Sequence, residues 1–222
     1  MKVSVIIPTY NRPQFLRQAI DSFMSQDYED KELIVVNDGG SIPEVPEGVT
    51  LYNLEHGNQS TTQNYGIEKA TGELVCTLDD DDLFYDETSL SQRVNLFESN
   101  PDLEVIWTSA QDIWENGSFK ADWNAILDQD IWMQDRIFIN SMMWRKSIKD
   151  KIGYWFDEEL TGNEDWDFKI RCLEECTCKG FDIFTVKHRV HPSMRSNEHR
   201  GSGELGRNEA LFKAKLKAKY NK

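Results

Sequence analysis

Apolar residues in this chain come in short runs divided by polar turns, and the period of each run predicts its element. Val3 to Ile7 are apolar or small and stop at Pro8, which predicts a buried strand. From Arg12 onward, Phe15, Leu16, Ala19, Ile20 and Phe23 recur at helical spacing. Glu32 to Val36 predicts a second buried strand, ending at Asn37-Asp38-Gly39-Gly40, and Val49 to Leu54 a third. Thr61 to Ala70 reads as a helix closed by Gly72. Leu74 to Leu78 reads as a fourth strand that runs into Asp79-Asp80-Asp81-Asp82. This alternation of strand and helix predicts an α/β fold around a mainly parallel, doubly wound sheet.

The pattern is less regular afterwards. Ser89 to Ser99 predicts a helix with Leu90, Val94 and Phe97 on one face, and Leu103 to Thr108 a strand. Gln111 to Lys120, turning at Asn116-Gly117, predicts a hairpin. Ile137 to Trp144 predicts a further strand, Glu164 to about Cys176 a helix, and Phe181 to Arg189 a strand. Glu204 to Lys222 reads as a polar helical tail with lysines at 213, 215, 217, 219 and 222. That tail is either a solvated helix or a basic surface for an anionic membrane or phosphorylated acceptor. No repeat or linker divides the chain, so residues 1–200 are expected to form a single domain, with 201–222 as its tail.

Composition narrows the classes. With 39% hydrophobic and 11% aromatic residues the chain has material for a core. A mean hydropathy of −0.62, and no apolar run near the roughly 20 residues that span a bilayer, predict no transmembrane segment. Met1-Lys2 leads straight into the first strand without a secretory pattern, and the expected location is cytoplasmic. A net charge of −14 disfavours a nucleic-acid partner without excluding a local basic patch. Cys76, Cys172, Cys176 and Cys178 are expected as free thiols. The last three are close together, but their spacing is not that of a structural zinc site.

The unusual residues sit where the strands end. Pro8, Thr9, Tyr10 and Asn11 follow the first strand, Asn37-Asp38 the second, and Asp79 to Asp82 the fourth. Parallel sheets bind ligands at the carboxyl ends of their strands, so the three clusters are expected to converge. Four adjacent carboxylates repel one another, which a hard divalent cation, Mn²⁺ or Mg²⁺, relieves while keeping positions open for substrate phosphates. The alternative is a solvated acidic turn that caps the next helix.

The segment Val3 to Arg12 resembles the opening of glycosyltransferase family 2. Asn37 to Gly40, Asn64 to Gly66, Ala70 to Glu73, Leu78 to Asp82 and Gly162 to Phe168 continue the likeness in order. The resemblance implies the GT-A fold, a Rossmann-like three-layer nucleotide-diphosphosugar transferase architecture. Residues 1–100 would form its nucleotide-sugar-binding half and 101–200 its acceptor half. It implies an inverting transfer from a nucleotide-sugar, a UDP-sugar favoured, to a hydroxyl of a glycan, lipid-linked or other acceptor. It further implies Pro8, Thr9, Tyr10, Asn11, Asp38, Asn64, Asp79 and Asp80 at the donor, with Asp38 on the base. Asp81 would bind the metal, His191 is similar to a histidine that assists there, and His188 is its rival. Asp165 would be the general base, its local alternative being a residue that favours the helix N-terminus. Arg189 and Arg195 would offset diphosphate charge, and one or two of Trp144, Tyr154, Trp155 and Trp166 would line the acceptor groove. The chain departs from the family at Gln63, where relatives often carry an arginine, and lacks the Gln-x-x-Arg-Trp motif of processive synthases. Rival readings are a non-catalytic nucleotide-sugar-binding module and a nucleotidyltransferase of related fold.

Overall fold

A computed structural model describes residues 1–125, 137–160 and 162–194. The predicted tail and Arg195 lie outside the described residues. Strands β1 (Val3–Thr9), β2 (Lys31–Asn37), β3 (Val49–Asn53) and β4 (Leu74–Thr77) pair in parallel in the order β3-β2-β1-β4. Helix α1 (Pro13–Met24) follows β1 and α2 (Gln59–Lys69) follows β3. Each begins where its sequence favours a start. Pro13 stands in the first turn of α1, where no backbone N–H partner is lost. Asn58 caps α2 by accepting from the Thr61 N–H at 2.9 Å. Gly66 lets α2 press on β1, since a Cβ there would lie 2.5 Å from Ile6 Cγ2.

Beyond β4 the sheet becomes mixed, continuing as β8-β6-β9-β5. The order of elements along the chain is β5 (Leu83–Phe84), α3 (Ser89–Ser99), β6 (Val105–Trp114), β7 (Phe119–Trp123), β8 (Met142–Arg145), α4 (Lys149–Ile152), α5 (Glu164–Glu175) and β9 (Cys178–Val190). The predicted hairpin is the β6–β7 pair. The predicted strand over 137–144 is shorter: Ile139–Ser141 form a 3-10 turn, and only Met142 onward joins the sheet, antiparallel to both β4 and β6. Long β9 runs parallel to β6, with register slips opposite Thr108 to Ala110.

Alternate strand residues feed two apolar layers. Val3, Val5 and Ile7 pack with Leu16, Ile20, Leu90 and Phe97 on the α1 and α3 side. Ile6, Ile34 and Val36 pack with Ile67, Trp144, Trp155 and Phe168 on the α2 and α5 side. The result is a three-layer α/β fold with helices on both faces of the sheet, the architecture the family resemblance implies. Among the described residues, no helix is long and apolar enough to cross a membrane.

Candidate active site

The carboxyl ends of β1, β2 and β4 meet the N-terminus of α5 around a cleft of about 740 Å³. Pro8, Thr9, Tyr10, Asp38, Asp79, Asp80 and Asp81 line it, as the strand-end positions predict, and Asp165 faces it from α5. Two residues of the expected donor set lie elsewhere. Asn64 turns towards the segment before α5: its Nδ2 donates to the Phe156 carbonyl and to Glu158 Oε1, both at 2.9 Å, and its Oδ1 accepts from the Phe156 N–H. Successive helix residues diverge by about 100°, so Gln63 faces the cleft while Asn64 ties α2 to the second half of the fold. Asn11, with φ 53°, accepts from the Ser41 N–H at 3.1 Å and joins the loops after β1 and β2.

The four aspartates have separate surroundings. Asp80 is buried, accepting from Thr9 Oγ1 at 2.7 Å and from Arg12 Nη1 at 3.3 Å. The Thr9 hydroxyl therefore holds Asp80. Burial, reinforced by the Asp81 charge, pushes the Asp80 carboxyl up to about 7. Asp81 Oδ2 meets Arg12 Nη1 at 2.8 Å and His191 Nε2 at 3.0 Å. Asp82 is fully enclosed, held by Asn140 Nδ2 at 2.6 Å and the Arg189 backbone N–H at 2.9 Å, and burial pushes its carboxyl up. Asp79 receives Asn140 Nδ2 at 3.1 Å and Gln59 Nε2 at 3.2 Å.

Carboxylate oxygens of Asp79, Asp81 and Asp82 lie within 4.8 Å of one another. Three hard oxygen donors so close fit a hard divalent cation; burial pushes up the carboxyl of one of them, Asp82, and of neighbouring Asp80. Buried His191 faces Asp81 from beyond the end of β9 and adds a nitrogen donor. His188 also lines the cleft, but its Nδ1 is directed to Asp112 Oδ1 at 2.8 Å. Burial would lower the His188 imidazole, yet Asp82 and Asp112 outweigh it and push it up to about 9. Among the described residues the cysteines form no comparable ligand cluster; Cys178 Sγ donates to the Cys172 carbonyl.

Asp165 lies in the first turn of α5, and its Oδ2 pairs with Lys169 Nζ at 2.7 Å. Lys169 is itself buried and also donates to the Ile137 carbonyl at 3.0 Å, so the pair fixes where the carboxylate sits. Asn163 precedes the helix with a left-handed φ of 61°. Gln63 Oε1, buried at the cleft wall, has no partner among the described residues.

The aromatic expectation for the acceptor side is corrected for two of its four residues. Trp144 and Trp155 are core residues, at 0% and 2% exposure, because β8 and the turn before α5 point them under the sheet. Tyr154 lies beneath the Arg171 guanidinium, 3.8 Å from its ring centroid, and Trp166 is half-buried; none of the four lines the cleft. Arg189 is 4% exposed, its guanidinium over the Phe15 ring.

Several site residues escaped sequence reasoning. Arg12 was adjacent to the first cluster, and its neighbourhood was its only signal. Asn140 is a polar residue within an apolar run, a signal of a buried polar contact that could have found it. His56, from the loop before α2, carried no signal.

The model of the family described as glycosyl transferase family 2 matches residues 4–156. A glycosyltransferase of Rickettsia felis is 36% identical over 218 residues, covering 88% of this chain and 35% of that protein. The chain thus spans about a third of that relative's length. Among solved structures, Staphylococcus aureus TarS 1-349 in complex with UDP-GlcNAc superposes with a TM-score of 0.73 at 18% identity, over 87% of this chain and 60% of that one. The mannosyltransferase PcManGT from Pyrobaculum calidifontis, in complex with GDP-Man and Mn²⁺, gives 0.61 at 15% identity over 86% and 58%.

Proposed function

Since the chain belongs to glycosyltransferase family 2, we propose that it transfers a glycosyl group, with inversion, from a nucleoside-diphosphate sugar to an acceptor hydroxyl, and that residues 1–200 form one catalytic domain. The observation that carries this reading is the single cleft shared by Tyr10, Asp38, the aspartate cluster and Asp165. Tyr10 and Asp38 offer a flat aromatic face and a carboxylate acceptor, which suit a nucleobase with an N–H edge and favour UDP. The solved UDP-GlcNAc complex of a like fold supports a nucleotide-sugar. Asp79 and Asp80 lie on the donor side, with Thr9 and Pro8 shaping the wall.

Asp79, Asp81 and Asp82 would hold a Mn²⁺ or Mg²⁺ ion, with His191 beside them. Bound there, the cation supplies charge neutralisation for the departing nucleoside diphosphate. Arg12, shared between Asp80 and Asp81, places a second positive charge at that edge. Asp165 takes the proton from the acceptor hydroxyl as its oxygen attacks the anomeric carbon and the diphosphate leaves from the opposite face. Lys169 orients that carboxylate. The acceptor is a glycan, a lipid-linked sugar or another hydroxyl compound, and the expected place of action is the cytoplasm.

The test is a thermal-shift panel of UDP-, GDP- and dTDP-sugars, each with and without Mn²⁺, followed by donor hydrolysis. A donor that raises the midpoint only with metal, an effect lost in Asp81→Ala and kept in Asp165→Ala, supports the assignment. A protein that no nucleotide-sugar shifts sinks it. Binding without any hydrolysis or transfer would favour a non-catalytic module.

A further inference from the structure

Tyr10 stands at the cleft mouth, 44% exposed as a residue, and one face of its ring is covered. The His56 imidazole lies on it at 4.3 Å between centroids, with planes inclined by 16°. The same imidazole reaches Asp38: Nδ1 is 2.9 Å from the Asp38 carbonyl oxygen and 3.1 Å from its Oδ2. Both partners are acceptors, so Nδ1 carries the hydrogen. The other carboxylate oxygen, Oδ1, accepts from the Gly57 N–H at 2.9 Å. His56 therefore uses one aromatic face and one in-plane N–H at once.

Those two contacts define the chemistry of the subsite. A stacking face beside an in-plane carboxylate acceptor selects a flat heterocycle with an N–H on its edge. Imidazole meets that description, and so does the imide edge of uracil or thymine; a sugar or a phosphate does not. A third ring has no room between Tyr10 and His56, since stacked rings meet at roughly 3.5–4 Å between carbons. We propose that His56 is a built-in stand-in for the donor's nucleobase, holding Tyr10 and Asp38 until an imide-type base displaces it.

The backbone around His56 confines the exchange to its side chain. Gly39, at φ +86°, packs so closely that a Cβ would lie 2.9 Å from the His56 backbone nitrogen. The His56 side chain is 57% exposed, so rotation about its own bonds carries the imidazole into solvent without disturbing the core. Once it leaves, Asp38 Oδ2 and the Tyr10 face are released together, while Gly57 keeps Asp38 in place. Self-occupancy of this kind lowers apparent affinity by the fraction of molecules in which the subsite is open.

This inference rests on the nucleotide-sugar reading, and the experiment separates the two. UDP and UMP are titrated calorimetrically into the full chain as wild type, His56→Ala and His56→Phe, with Mn²⁺ present and thermal midpoints recorded to confirm folding. His56→Ala is expected to bind both nucleotides about tenfold more tightly. His56→Phe, which keeps the stack and loses the N–H, should fall between. An equal gain for UMP and UDP assigns the effect to the base and not to the diphosphate or metal. In wild type, UDP should also shift the His56 imidazole nitrogen resonances. Unchanged or weaker binding by folded His56→Ala overturns the stand-in, making His56 a wall of the base pocket while nucleotide binding stands. Absence of nucleotide binding in all three proteins sinks the nucleotide-sugar reading, and the stand-in with it.

Discussion

The two walls of the cleft are built differently. On the first, Thr9 ends a buried parallel strand, and Tyr10, Asp38 and Asp79 to Asp81 follow one within four residues, so local sequence places them. On the second, the groups arrive from a 3-10 turn (Asn140), a helix start (Asp165) and a long strand with its exit (His188 and His191). The second wall also arrives paired: Asn140 with Asp79 and Asp82, His188 with Asp112, and Asp165 with Lys169. The first wall presents charge and the second braces it. The carboxylates concentrated after β4 are held by groups distant in sequence, and that bracing lets repelling side chains share a few ångströms.

The comparison yields tests of decreasing size. Asp165→Asn removes the proposed base from the second wall, and kcat should fall by about 10²–10⁴-fold with donor affinity nearly unchanged. Full turnover in this variant would return Asp165 to a helix-start role. Asp81→Asn acts on the first wall: turnover should fall by about 10²–10³-fold, as when one charge-stabilising group is lost, and the Mn²⁺-dependent thermal shift should shrink with it. A shift that survives would move the metal role to Asp79 and Asp82.

Asn140→Ala tests the bracing itself. It strips Asp82 of its 2.6 Å donor in a buried site, so urea denaturation should show a loss of about 1–3 kcal/mol. A neutral result would mean the aspartates are supported from elsewhere.

The smallest effect lies far from the cleft. Burial alone would raise the Glu32 carboxyl, but hydrogen bonds from Ser4, Lys2 and Thr71 outweigh it and hold it down at about 2, against an ordinary value of 4.5. A depressed carboxyl stabilises the fold above its unfolded value, and that contribution fades as pH falls from about 4.5 towards 2. Glu32→Gln should flatten the acid limb of the stability curve in that window while leaving cleft binding intact. An unaltered limb would reject the assignment.

These two walls also mark how much was legible beforehand. Pro8 to Tyr10, Asp38 and Asp79 to Asp81 were readable because a continuous buried apolar run ends abruptly at each strand and polar residues follow. Asp165 as a base was implied by the family resemblance alone, since an acidic pair at a helix start also serves the helix N-terminus. Asn64 misled because it shares a short segment with cleft residues, yet the helical turn points it at Phe156 and Glu158. The tryptophans misled because aromatic content does not reveal which face of a strand is covered; Trp144 on β8 is wholly inside.

The sequence by itself determined the parallel half of the sheet, the helix that starts at α5, and the carboxylates at the strand ends, since strand period and punctuation are local properties of the chain. Tertiary structure alone decided that β8 and β9 bring Asn140, His188 and His191 to those carboxylates, that Arg12 bridges Asp80 and Asp81, and that His56 stacks on Tyr10. Those partners lie up to 110 residues apart, and only strand order and register bring them within hydrogen-bond reach.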